Sequence, residues 1–151
     1  MRLEELYAWG ILLKAVIANM EQYTAWLYDA LMKVNKEEPF FDLVADLAYC
    51  SNDINKTLTT INDYTISRES SFDFAFIGGL LIKSLEEAYK AGTYDLQTLG
   101  AQAYCIWAQL PVSMGDEPPF SAWRYIDDYS AYGDEQTTRE LFQSVFDYYK
   151  P

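Results

Sequence analysis

The sequence contains no histidine. That removes the side chain that ordinarily titrates near neutral pH, and with it every Ser-His, Cys-His and His-metal arrangement. Two cysteines alone cannot form a structural zinc site. Neither a GxxxxGK(S/T) nor a GxGxxG run occurs, so nucleotide binding by those loops has no support. Positive charge is scarce: 11 basic residues stand against 23 acidic ones, a net charge of -12. So anionic a surface repels phosphate backbones and anionic lipid, which argues against direct nucleic-acid or membrane-surface binding. What it attracts is cationic: a basic protein, a polyamine or a metal ion. The other account of the charge is solubility alone.

Turn formers are few. Five prolines and seven glycines are too few for a turn-rich sandwich or barrel. Long apolar runs are missing too. The best, Ile11 to Ala18, is interrupted by Lys14 and is far too short to span a bilayer. The opening Met1-Arg2-Leu3-Glu4-Glu5 carries two acids where a secretory signal wants a cationic leader, so the expected location is the cytoplasm.

Core material is plentiful. Half of the 151 residues are hydrophobic and 17% are aromatic, and a domain near this size buries roughly 70% of its unfolded surface. The expectation is an all-α bundle of about six or seven helices, forming a single domain over residues 1–151. Leu6, Trp9, Leu13 and Ile17 form one stripe of a helix that is apolar on nearly every side, with a break near Asn19. Met20 to Val34 continues with Tyr23, Trp26, Leu27, Ala30 and Leu31 inward. Pro39 reads as a first helical residue, followed by a core face of Phe40, Leu43, Val44, Leu47 and Tyr49-Cys50. Either a break falls near Ser51-Asn52, or one helix runs on through Ile54, Leu58 and Ile61 to about Tyr64.

Ser70 and Asp73 read as a capping box for a helix from Phe72 to Ala91, with Gly92 ending it. Gly78-Gly79 in its middle implies a close helix crossing or a kink. Thr93 is expected to cap a helix over Tyr94 to Leu110, paired with the preceding one as a hairpin. Pro111 to Pro119 reads as a loop. Helices over about Phe120 to Tyr132 and Asp134 to Tyr149 close the chain, with Thr137-x-x-Glu140 as a second candidate capping box.

Cys50 and Cys105 each sit in an Ala-Tyr-Cys triplet on a helix, which suits buried small hydrophobes better than a disulfide. Asp46, one turn before Cys50, and the apolar neighbours of Cys105 both disfavour a thiolate, so neither reads as a nucleophile. Asp42 and Asp46 lie one turn apart and would hold magnesium if another helix supplied partners, with Asp53 the nearest candidate. No paired Glu-x-x-Glu and Glu-x-x-Asp runs accompany them. No catalytic residue, metal site or cofactor is assigned.

The positive signal lies near the C-terminus, in Trp123-Arg124-Tyr125-Ile126-Asp127-Asp128-Tyr129-Ser130-Ala131-Tyr132-Gly133-Asp134-Glu135. On a helix, Tyr125, Asp128, Tyr129 and Tyr132 form one stripe, while Phe120, Trp123, Ile126 and Ser130 form the opposite, core-facing one. Tyrosine supplies contact area at low entropic cost, and carboxylates attract a cationic partner. The expected partner-binding residues are therefore Tyr125, Asp127, Asp128, Tyr129, Tyr132, Asp134 and Glu135. The alternative is that several tyrosines cap the core with only their hydroxyls wet. Glu37-Glu38 with Asp42, Asp46 and Asp53, and the loop pair Asp116-Glu117, either extend the acidic face or are ordinary solvated surface.

Two classes of function follow. The favoured one is a non-enzymatic, immunity- or antitoxin-type inhibitor that masks a basic protein partner, such as a toxin or nucleic-acid-processing enzyme. The other is a metal-dependent helical enzyme or small-molecule binder using Asp42 and Asp46. An adaptor subunit of a larger assembly would use the same surface as the first.

Overall fold

Short polar side chains decide where most helices begin. In a computed structural model describing residues 1–150, Asn19, Asp53, Asp73, Asp95 and Asp134 each accept a hydrogen bond from the backbone N–H three residues on. These satisfy donors that a helix start otherwise leaves orphaned. The helices they and their neighbours open are α1 (Leu3–Lys14), α2 (Met20–Lys33), α3 (Phe41–Tyr49), α4 (Ile54–Thr65), α5 (Phe74–Ala91), α6 (Leu96–Gln109), α7 (Val112–Gly115), α8 (Ile126–Ala131) and α9 (Glu135–Tyr148). Two 3-10 segments, Ile66–Ser71 and Phe120–Trp123, link α4 to α5 and α7 to α8.

The all-α expectation holds, with nine helices among the described residues in place of six or seven. The expected breaks near Asn19 and near Ser51-Asn52 both separate helices, and a short helix, α7, lies inside the segment read as a loop. Several boundaries differ for one physical reason: an aspartate took the capping role from a hydroxyl. Asp73 caps α5 itself, while Ser70 lies in the preceding 3-10 segment. Asp95, not Thr93, caps α6. Asp134 caps α9 by bonding the Thr137 N–H at 3.1 Å, so Thr137 sits inside the helix. Pro39 precedes α3 by two residues and is not its first turn. The last expected helix but one, Phe120 to Tyr132, is split into a 3-10 turn and α8.

Two apolar clusters share α1. Leu6 and Leu13 join Tyr23 and Leu27 of α2, Leu43, Val44 and Leu47 of α3, and Ile61 of α4. Ala8, Ile11 and Leu12, from another side of α1, join α5, α6, the Phe120–Trp123 turn, α8 and α9. A helix apolar on nearly every side is explained by that double role. Two expected core positions are on the outside instead. Tyr49, the last residue of α3, is 93% exposed, and Ile54 is exposed because α4 turns Thr57 and Thr65 inward. Those hydroxyls donate to the Cys50 and Ile61 carbonyls at 3.1 and 2.8 Å, which lets polar side chains be buried there.

Of the paired glycines, only Gly78 is at a close crossing. A Cβ there would meet the Tyr149 hydroxyl and the Phe120 ring, whereas one on Gly79 would meet nothing within 4 Å. No helix of the described residues is long and apolar enough to cross a membrane.

Candidate acidic and aromatic surface

Helices α6 and α8 approach closely at Gly100 of α6. A Cβ on it would lie 2.2 Å from Ser130 Oγ and 2.7 Å from Ser130 Cβ. The missing side chain lets α8 lie against α6, with Ile126 buried completely and Ser130 nearly so. Ser130 Oγ donates to the Asp127 carbonyl at 3.1 Å, so its hydroxyl is not left unpaired. Phe120 and Trp123 anchor the turn before α8, their rings edge-to-face at 5.4 Å. After α8, Gly133 adopts a left-handed φ of 76° and turns the chain into α9, as a glycine just past a helix end does.

Burying Phe120, Trp123, Ile126 and Ser130 leaves the other side of this segment outward. Tyr125 is 58% exposed, Tyr129 41% and Tyr132 88%. These three tyrosines present ring as well as hydroxyl to solvent and do not merely cap the core. Asp128 lies exposed among them, and Asp127 is half-buried, its carboxylate accepting the Asp128 N–H at 3.0 Å. Neither carboxylate has an ion-pair partner among the described residues.

Asp134 and Glu135 are exposed but engaged. The Asp134 carboxylate accepts from both the backbone N–H and the hydroxyl of Thr137. Glu135 pairs with Arg139 at 2.9 Å, and Arg139 also donates to the Tyr89 hydroxyl at 2.9 Å. The seven predicted residues lie in one stretch, but their spacing did not separate Asp134 and Glu135, which hold the start of α9, from the other five.

A flank of the surface was not read from the sequence. Arg124 pairs with Asp116 and lies over the Trp107 ring at 5.5 Å, and Trp107 packs against Tyr104 at 5.6 Å. Trp107 Nε1 donates to the Gly115 carbonyl at 2.9 Å, which ties α6 to α7. The signal available was the lone basic residue immediately before Tyr125. It also accounts for Asp116, one of the two loop acids, which is neutralised locally.

The second acidic group belongs to the other cluster's helices. Asp42 and Asp46 are exposed on α3, and Asp53 caps α4 through the Lys56 N–H. Among the described residues, no group of three histidine, cysteine, aspartate or glutamate side chains comes together as a metal site. Both cysteines are free thiols, half-buried and not fully enclosed as their neighbours suggested. Cys50 Sγ donates to the Leu47 carbonyl at 3.6 Å, and Cys105 Sγ lies 3.9 Å from the Lys14 carbonyl. Comparison with protein-family models, curated proteins and solved structures finds no match to this chain.

Proposed function

We propose that this chain is an acidic protein-binding protein, of the immunity or antitoxin type, that masks a basic partner such as a toxin or nucleic-acid-processing enzyme. The observation that carries the proposal is the outward face of α8. Tyr125, Tyr129 and Tyr132 stand exposed around Asp127 and Asp128, whose charges nothing in the described chain neutralises. Exposed tyrosines on a short helix supported by Trp123 and Ile126 offer contact area with little ordering to be lost on binding. The unpaired carboxylates speed encounter with a cationic surface and select for it. Asp134 and Glu135 extend the negative field without being free to make new pairs.

The test is affinity capture from the native host at low salt, repeated at high salt, followed by assay of the captured partner's activity. The expected outcome is a basic partner whose retention falls with salt and whose activity is suppressed. Tyr132→Ala and Tyr129→Ala should each weaken the complex by about 2 kcal/mol or more. Asp127→Asn with Asp128→Asn should mainly slow association and flatten its salt dependence. No salt-sensitive basic partner, or stripe variants that bind like wild type, sinks the proposal. A stable complex with undiminished partner activity makes the chain an adaptor and not an inhibitor.

A further inference from the structure

Away from the tyrosine surface, the two apolar clusters do not close completely against each other. Between α1, the 15–19 connection, α2 and α5 they leave a cleft of about 740 Å³. That volume falls within the range that takes small organic ligands. Its aromatic wall is Trp9 and Trp26, both half-buried, with ring centroids 5.6 Å apart and planes tilted by 36°.

The α5 wall is charged in an unusual way. Lys83 and Glu87 are one turn apart, yet neither has an ion-pair or hydrogen-bond partner among the described residues. Elsewhere in the chain, pairs at this spacing close: Lys33 on Asp29, Lys90 on Glu86 and Arg139 on Glu135. In each of those the acid comes first along the helix, the favourable order; at 83 and 87 it is reversed. The cleft therefore keeps one cation and one anion apart on the wall bearing α5.

The rim is held in place. Val16 has a φ of 60°, a left-handed conformation that a β-branched residue rarely takes. Its carbonyl accepts from the Tyr94 hydroxyl and from Gln102 Nε2, each at 3.2 Å, and these two bonds secure it. Strain of this kind recurs where a backbone segment serves as a ligand clamp.

The geometry points to this cleft as a binding site for a small zwitterion with an aromatic body, the chemistry of a free aromatic amino acid. The ring packs on Trp9 and Trp26, the ammonium is taken by Glu87 and the carboxylate by Lys83. A purely anionic ligand meets repulsion from Glu87 and from Glu5, which lines the cleft from α1, and a purely cationic one meets repulsion from Lys83 and leaves it without a partner.

The site is tested on the full chain, labelled with nitrogen-15, by titrating L-tryptophan, tryptamine and indole-3-propionate while following the backbone and indole N–H signals. Saturable shifts are expected at Trp9, Trp26, Ala18 and Ala88, with L-tryptophan about tenfold tighter than either analogue. Lys83→Met should abolish its advantage over tryptamine alone, and Glu87→Gln its advantage over indole-3-propionate alone. Both substitutions are on exposed positions, so their folding is checked by the same spectra. No saturable shift up to the solubility of L-tryptophan, or equal affinity for all three probes, overturns the assignment. Neither outcome bears on the α8 surface, which these substitutions leave untouched.

Discussion

Both apolar clusters include long helices with side-chain caps, but α8 of the second is held differently from α2 and α4 of the first. In the first, α2 and α4 are each 12 residues or longer and start on their own side-chain caps, Asn19 and Asp53. In the second, α8 has six residues and no side-chain cap, and the turn before it is a four-residue 3-10 segment. Helices that short are not stable alone, because nucleation outweighs the few bonds they make. What holds α8 is tertiary: Trp123 and Ile126 are fully buried among Phe142, Ile106 and their neighbours, and Gly100 admits the helix at close range. The candidate binding face therefore depends on the packing beneath it more than does the surface of α2, which is longer and has its own side-chain cap.

The contrast is broken most severely at Trp123. Trp123→Ala should cost about 3–5 kcal/mol and displace α8, so that binding by the tyrosine face is lost at temperatures where the fold survives. Leu27→Ala, at about 2–5 kcal/mol, should lower stability while leaving binding intact in the folded fraction. Thermal unfolding combined with binding at low temperature separates the two. If both variants lose binding only in proportion to their unfolding, α8 has no special dependence on its anchor.

Glycine substitutions sharpen the same contrast and should differ in sign. Gly100→Ala drives a Cβ into Ser130 and should destabilise by about 1–3 kcal/mol, with α8 displaced. Gly79→Ala meets open space inside α5 and should stabilise by up to about 1 kcal/mol through helix propensity. Denaturant midpoints check both; equal effects would mean that α6 and α8 are not in close contact.

The smallest expected effect concerns the link from α9 back to α5. Lys150 and Lys90 donate to Glu86 at 2.6 and 2.8 Å, and these bonds hold its carboxyl below the ordinary value of 4.5. A carboxyl with a lowered folded-state pKa contributes stability that is present above its unfolded value. It loses that contribution as pH falls through the folded value. Glu86→Gln should therefore cost about 1 kcal/mol or less at neutral pH, with the difference from wild type vanishing in acid. A difference that grows on acidification would reverse the sign and rule out the linkage.

Much of the second cluster was legible from spacing. Of the apolar stripe Leu96, Leu99, Ala103, Ile106 and Leu110, the last four are buried along α6 and Leu96 is half-buried, and Phe120, Trp123, Ile126 and Ser130 are buried opposite the tyrosines. The first cluster was less legible at α4, where Thr57 and Thr65 displaced Ile54 from the interior. A hydropathy pattern does not register a hydroxyl that bonds a carbonyl within its own helix or the preceding turn. Caps were misplaced wherever serine or threonine competed with a nearby aspartate. The residues are individually plausible, and only the backbone geometry selects one.

The amino-acid sequence alone determined the all-helical class and the anionic charge. Apolar spacing and the excess of acidic over basic residues are properties of the chain that are read without its packing. It also marked Tyr125, Tyr129 and Tyr132 as outward, although of the three only Tyr129 lies within α8 and the other two flank it. Tertiary structure decided the rest: that Gly100 admits α8 beside Ser130, and that Lys83 and Glu87 stand beside Trp9 and Trp26. Those outcomes depend on which side chains meet across long stretches of chain.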